Sequence, residues 1–305
     1  MCDPRTPAPF RAAGGDEAGG GAAGGRKAYP PAPEPLPVPV MDNHTHLDFP
    51  DTGFADGRTV SVKDALDAAA AVGVQGAVQV GCDLESSRFT VQAVEADARL
   101  LGAVALHPND APAYAARGEL EGALAEIEAL AAHPRIRAIG ETGLDFFRTE
   151  GEGLVQQRYS FRRHIDIAKR LGLTLQIHDR DAHDDVVQVL REEGAPERVV
   201  FHCFSGGEEL ARTCNAEGWY MSFAGTVTFK NAANLRAALA LAEPGRLLVE
   251  TDAPFLTPHP HRGRPNASYM VPYTVRAMAE LTGRDLAELC ARLAENTVQA
   301  YGSWD

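Results

Sequence analysis

Val38-Pro39-Val40-Met41-Asp42-Asn43-His44-Thr45-His46-Leu47-Asp48 is a short apolar run that closes on two histidines one residue apart. An extended chain repeats its side-chain direction every second residue, so His44 and His46 project to one side if the run is a strand. Two imidazoles at that spacing can share one transition-metal cation. Such pairs are also common in ordinary loops, so the remaining donors have to come from elsewhere in the chain.

Outward from this run, extended and helical patterns alternate. Strands are expected over 38–43, 75–81, 100–106, 136–140, 174–177, 198–201, 219–222 and 246–249. Helices are expected over 62–72, 84–98, 118–132, 154–171, 181–193, 206–217 and 231–242, with two more at 269–282 and 284–300. Asp181 and Ser205 precede apolar runs as candidate helix caps. Eight strands alternating with helices predict an α/β protein, a closed (β/α)8 TIM barrel. A doubly wound open sheet is the competing architecture, but it needs no eighth strand, and no glycine-rich phosphate fingerprint follows the first one.

The barrel is expected over residues 38–305 as one hydrolase-sized domain. Residues 1–37 are rich in Gly, Ala and Pro, a composition that predicts a disordered tail. A net charge of −13 argues against a protein that coats nucleic acid through general basicity. It still allows local handling of nucleic acid, because bound cations place positive charge inside a cleft. Cys2, Cys82, Cys203, Cys214 and Cys290 are widely spaced and form no C-x-x-C pair, which suits reduced thiols in a cytoplasmic protein. No segment approaches the ~20 apolar residues of a membrane span, and no secretory signal pattern is visible.

A barrel places its working residues at the C-terminal ends of its strands. His44 and His46 close the first predicted strand, His107 the third, Glu141 the fourth, His178 the fifth, His202 the sixth and Asp252 the eighth. A polar strand end meeting solvent explains any one of these; it does not explain seven around one mouth. A carboxylate can bridge two cations, and Glu141 is best placed to do so. One divalent metal would then take His44, His46, Glu141 and Asp252, and a second would take Glu141, His178 and His202. Each keeps an open position, as catalytic sites require. Histidines suit zinc or manganese and the carboxylates admit magnesium, which leaves the metal's identity open. A metal pair ~4 Å apart can hold a hydroxide and neutralise a phosphoryl group during in-line displacement.

These motifs resemble the TatD-like metal-dependent deoxyribonucleases of the amidohydrolase superfamily. The resemblance rests on His-x-His-Leu-Asp at 44–48, Gly-Glu-Thr-Gly-Leu-Asp at 140–145, Ile-His-x-Arg at 177–180, His-Cys-Phe-Ser-Gly at 202–206 and Glu-Thr-Asp-Ala-Pro at 250–254. It runs from about Val40 to the segment 296–302. It implies metal ligation by His44, His46, Glu141, His178, His202 and Asp252, and hydrolysis of phosphodiester bonds in DNA, often as a 3′-to-5′ exonuclease. Three departures stand out. Thr45 occupies a place usually taken by Cys, Asn109 replaces a second His after the third strand, and Asn266-Ala267-Ser268 replaces a usual Asn-Glu-Pro.

Substrate contacts are expected from His107, from Arg180 as a bidentate phosphate grip, from the helix start at Ser205, and from Arg262. His259-Pro260-His261-Arg262-Gly263-Arg264 is the densest basic stretch and can track a nucleic-acid backbone. Phe146, Phe147 and Phe255 can stack on bases, although covering the barrel rim is the simpler role. The leading expectation is a two-metal phosphodiesterase acting on DNA, in which a hydroxide held by the cations attacks phosphorus and Asp252 takes its proton, with Glu141 bridging. No membrane and no obligate protein partner is expected. The alternative is an amidohydrolase-type hydrolase of a small cyclic amide or ester. Many such enzymes bridge their metals with a modified lysine on the fourth strand, whereas the lysines here stand only at 27, 63, 169 and 230. A non-catalytic metal-stabilised scaffold is the third reading. Its structural metal would favour sulfur-rich ligands, and only Cys203 lies near the donors in sequence.

Overall fold

In the computed structural model the described residues are 28–49 and 60–304. The first half runs β1 (Val40–Thr45), α1 (Val62–Ala70), β2 (Val74–Gly81), α2 (Leu84–Ala96), β3 (Leu100–Val104), α3 (Ala111–Ala116), α4 (Leu120–Ala131) and β4 (Ile136–Asp145). It continues α5 (Glu152–Leu171), β5 (Thr174–Arg180), α6 (His183–Glu193), β6 (Val199–Phe201), α7 (Glu208–Glu217), β7 (Tyr220–Phe223), α8 (Ala233–Leu241) and β8 (Leu247–Val249). The helices α9 (Val271–Thr282) and α10 (Leu286–Tyr301) follow. The eight strands are parallel and lie in sequence order around the sheet. The chain is a (β/α)8 barrel, as its alternation predicts.

Two apolar cores divide the packing. The larger lies between the strands and the helical layer and includes Ile139, Phe161, Leu190 and Leu293. The smaller fills the barrel interior with Val78, Leu101, Val200 and Leu248, and Tyr301 from α10 closes it from below. Such alternation, with successive strand residues facing the two cores, is what a strand buried on both sides requires. The Tyr301 hydroxyl accepts from Gln176 Nε2 at 2.8 Å, and the same nitrogen donates to Asn43 O at 2.9 Å. A polar line therefore runs up the barrel axis from the last helix to the strand that carries the histidines.

The barrel closes between β8 and β1 by a seam of its own. Asp252 N donates to His44 O at 3.0 Å and His46 N donates to Ala253 O at 2.8 Å. Deeper in the seam, Asp42 accepts from Thr251 N at 2.8 Å and from Thr251 Oγ1 at 2.6 Å. Burial pushes the Asp42 carboxyl up to about 7. The residues that close the cylinder are thus the residues expected to bind metal, or their immediate neighbours.

Local structure departs from expectation in four places. α3 was not foreseen; six residues are too few to show a helical period. β4 runs five residues past its expected end. Asp181 and Ser205 do not cap: α6 and α7 begin after Ala182 and Gly207 without a side-chain cap, and Ser205 Oγ instead donates to Asp179 O. The fourth departure concerns the N-terminal segment. The tail expected over residues 1–37 lies outside the described residues up to residue 27, but residues 28–37 are ordered along the barrel. Tyr269 donates its hydroxyl proton to Pro30 O at 2.7 Å, Arg264 Nε donates to Ala28 O at 3.0 Å, and Leu36 is buried with its N–H on Val72 O. Proline-rich chain is already extended, so its docking loses less entropy than its composition suggests.

No helix among the described residues is long and apolar enough to cross a membrane. Cys82, Cys203, Cys214 and Cys290 form no disulfide among the described residues, and Cys2 lies outside them.

Candidate metal centre

His44 and His46 leave the end of β1 on one side, and their Nε2 atoms stand 3.2 Å apart. Each faces two carboxylate oxygens. His44 Nε2 lies 3.9 Å from Glu141 Oε1 and 3.7 Å from Asp252 Oδ1. His46 Nε2 lies 3.8 Å and 3.5 Å from the same two atoms. Donors ~2.1 Å from a tetrahedral cation lie about 3.4 Å from one another. These separations match the edges of such a shell, and the four nitrogen–oxygen ones are long for hydrogen bonds.

The other oxygen of Glu141 serves a second group. Oε2 lies 2.8 Å from His202 Nε2 at the end of β6 and 3.1 Å from His178 Nδ1 on β5. The rings of His44 and His202 stack at 3.9 Å between centroids, which sets the two groups side by side. Glu141 contributes one oxygen to each.

Hydrogen bonds on the far side of each ring fix which nitrogen faces inward. His46 Nδ1 is 3.0 Å from Val80 O, an atom that can only accept, so Nδ1 carries the proton and Nε2 presents its lone pair. His202 Nδ1 meets Glu250 Oε1 at 3.2 Å, and His178 Nε2 meets Asp145 Oδ2 at 3.3 Å. In these tautomers buried lone pairs face buried carboxylate oxygens, an arrangement that requires a positive charge between them. Protons supply that charge when no cation does. Burial alone would lower His46, yet Asp252 and Glu141 outweigh it and hold the imidazole up to about 9. His202 is likewise held well above its usual range, against burial, by Glu141 and Glu250. Glu141 itself falls well below the carboxylate range because His202, His107 and His178 outweigh its burial. The donor set fits divalent cations, with imidazole N and carboxylate O and outer partners that orient the rings.

The structure adds Asp145, Glu250, Asp42 and Cys82 to the residues around the donors. Asp145 could have been found from β4 itself, where positions 141, 143 and 145 share a face. It also accepts from Asn109 Nδ2 at 2.8 Å, so the residue that departs from the family pattern supports the partner of His178. Glu250 accepts a second bond, from Cys203 N at 2.7 Å. Cys82 Sγ sits 3.2 Å from Glu141 Oε1, brought there by β2, and no sequence motif marks it. Asp252 and Cys203 both have left-handed backbone, at φ 54° and 40°, conformations that non-glycine residues hold only where surrounding bonds impose them.

The expected substrate contacts fall unevenly. His107 Nε2 lies 3.8 Å from Glu141 Oε2, while its Nδ1 accepts from Asn109 N at 3.0 Å. Burial pushes His107 down to about 3, so the neutral ring carries its proton on Nε2 and faces the mouth as a donor. The Arg180 guanidinium lies over the Phe147 ring at 3.9 Å, and Phe147 is 55% exposed. Phe255 packs edge-on against Phe49 and His46, and Arg158 lies over Phe146. Ser205 is exposed ahead of α7, and the Arg262 guanidinium lies over the Phe229 ring at 4.4 Å.

A parallel eight-stranded barrel with histidines and carboxylates gathered at one mouth defines a metal-dependent hydrolase. Comparison with known proteins agrees. The family described as TatD related DNase matches residues 41–302, and the chain belongs to the TatD family. An uncharacterized metal-dependent hydrolase TatD of Mycobacterium tuberculosis is 49% identical over 268 residues, covering 86% of this chain and 98% of that protein. A protein of Erwinia amylovora named 3′-5′ ssDNA/RNA exonuclease TatD is 32% identical, covering 82% of this chain and 96% of its own length. Among solved structures, the TatD homolog YJJV of Escherichia coli superposes with a TM-score of 0.76 at 26% identity, over 87% of this chain and 98% of that one.

Proposed function

We propose that this protein is a two-metal phosphodiesterase that hydrolyses DNA strands as a 3′-to-5′ exonuclease. The observation that carries the reading is Glu141, whose two oxygens each belong to a different cluster of donors. His44, His46, Asp252 and Glu141 Oε1 would hold one divalent ion, and His178, His202 and Glu141 Oε2 the other. Bound there, the pair supplies an activated water and charge neutralisation at a phosphoryl oxygen. The chain's own residues do the rest. Asp252, itself one of the first group of donors, would also orient the attacking water and take its proton. His107 offers a neutral N–H beside the second group and can donate to a non-bridging phosphate oxygen. Arg180, spread over Phe147 at the rim, can grip the next phosphate.

The named activity of the Erwinia relative supports this reading, as does the absence of lysine from β4, where the amide hydrolases of the alternative reading carry their bridge. The residue types leave zinc, manganese and magnesium as candidate ions. The test uses single- and double-stranded DNA labelled at the 5′ end, incubated with each metal in turn. A ladder receding from the 3′ end is expected, with Glu141→Ala slower by on the order of 10³-fold. Absence of cleavage in every metal, or full activity of Glu141→Ala, overturns the proposal.

A further inference from the structure

The loops that follow β7 and β8 leave the mouth together and enclose a groove on the side of the molecule. Its cavity of about 470 Å³ is lined by Thr228, Phe229, Lys230, Arg236, His259 and Arg276, among others. The two loops are tied: His259 N donates to Thr228 Oγ1 at 2.8 Å, and a side chain at Gly225 would strike the Leu256 carbonyl. The second loop begins directly after Asp252, so the groove leads away from the candidate metal centre along the same stretch of chain.

Its arginines are held mainly by backbone carbonyls, as Arg135 is at the opposite end of the barrel, and not by the carboxylates that partner most arginines of the helical wall. On the helical wall, arginines meet carboxylates: Arg88 with Glu126, Arg158 with Asp185, Arg170 with Glu128, Arg191 with Glu217. In the groove they meet carbonyls. Arg236 donates to Phe229 O at 2.7 Å and Lys230 O at 3.2 Å, and at the rim Arg264 donates to Ala28 O. Arg276 donates to Glu34 O and Pro35 O at 3.2 and 3.1 Å, and the Glu34 carboxylate approaches it only to 3.9 Å. Lys230 and His259 are exposed and form no ion pair among the described residues. Arg262 lies over Phe229, which also lines the groove. A carbonyl fixes an arginine in place without neutralising it, so the positive field survives. Glu280, at the outer end, is the one acidic residue in the lining. In a chain of net charge −13, an unpaired lysine and carbonyl-held arginines around an aromatic face, with a single carboxylate in the lining, suit a polyanion.

We infer that this groove binds the single-stranded nucleic-acid backbone several nucleotides away from the phosphate held at the metal centre. The inference rests on the nuclease reading for its ligand class and on the groove's own charge and shape for its place. Lys230 and His259 supply phosphate contacts, Arg236 and Arg276 set the field from fixed positions, and the Phe229–Arg262 stack offers a face for a base.

The test is binding rather than turnover. Fluorescein-labelled dT12 is titrated with the full chain in EDTA, where strands stay intact, at a series of salt concentrations. The Lys230→Ala/His259→Ala double variant removes no side-chain bond seen in the fold, and an unchanged thermal midpoint checks that it is folded. Each lost phosphate contact lowers the slope of log affinity against log salt by about 0.7. The double variant is expected to bind dT12 at 50 mM salt about threefold to tenfold more weakly, with the slope reduced by about 1.4. Equal affinity and slope in the folded variant overturn the groove, as does failure of the parent protein to bind dT12. Loss of binding in the variant, combined with no cleavage by the parent in any metal, supports the groove and overturns the nuclease reading alone.

Discussion

Glu250 shows how much of a site lies one bond behind the residues that face the substrate. It is fully buried, and it holds His202 Nδ1 and Cys203 N on the same oxygen. Glu250→Gln keeps the shape but offers less negative charge to the imidazole. Metal affinity measured by competition with a chelator is expected to fall 10–100-fold, the usual effect of losing an outer partner. An unchanged affinity would mean that His202 is oriented by packing alone. His164 gives a cleaner reading of pH. It is buried on α5, accepts from Leu106 N at 3.1 Å, and donates from Nδ1 to Ser160 O at 2.8 Å. Burial pushes it down from 6.5 to about 4. Its folded pKa lies below the unfolded one, so its stabilisation is complete above pH 6.5 and is lost as pH falls toward 4, by about 3 kcal/mol in all. Urea denaturation at pH 7.0 and 4.5 should show a smaller pH difference in His164→Gln than in the parent. The inward histidines were readable from the sequence because each ends a predicted strand. Asp145 and Glu250 stand inside quoted motifs, yet their work depends on which ring nitrogen they meet across neighbouring strands, and only the register decides that.

β4 and the N-terminal segment show the same limit at the scale of elements. β4 carries both Glu141 and Asp145, and its partner strand comes so close at Gly143 that a methyl group there would meet the His178 carbonyl. Gly143 also has φ 145°, a conformation L residues rarely adopt. Gly143→Ala is expected to destabilise the fold by more than about 1 kcal/mol and to displace His178, so that metal affinity and thermal midpoint fall together. A thermal midpoint equal to the parent's would show that β5 can retreat freely. The alternation of strands and helices fixes the barrel because eight repeats leave few other arrangements. Strand ends are less legible, since residues that turn toward a polar mouth cease to look apolar. That is why the apolar pattern ends at 140 while β4 continues to Asp145. Residues 28–37 escape composition for the opposite reason: it weighs all residues alike, whereas docking depends on the buried Pro30, Pro33 and Leu36 and on Arg264 and Arg276 far along the chain. Leu36→Ala is expected to cost about 2 kcal/mol in urea denaturation, against nearly nothing if the segment were unattached.

At the scale of the whole molecule, barrel closure and donor assembly are one event. Asp252 is bonded through its backbone to His44, and the donor atoms of both lie on the inner side of that seam. A metal that binds only the closed barrel stabilises it by RT ln(1 + [metal]/Kd), about 2.7 kcal/mol at a hundredfold excess over Kd. Thermal midpoints should therefore rise with metal concentration in the parent and rise less in Asp252→Ala, which keeps the second donor group. A rise of equal size in both would place the stabilising ion elsewhere.

The axial line from Tyr301 through Gln176 to Asn43 has a consequence for synthesis. Every donor residue, from His44 to Asp252, is translated before α10, yet the barrel floor is missing until Tyr301 arrives at its place beneath the strands. A chain still lacking its last helix would hold all of its candidate ligands and no finished floor beneath them.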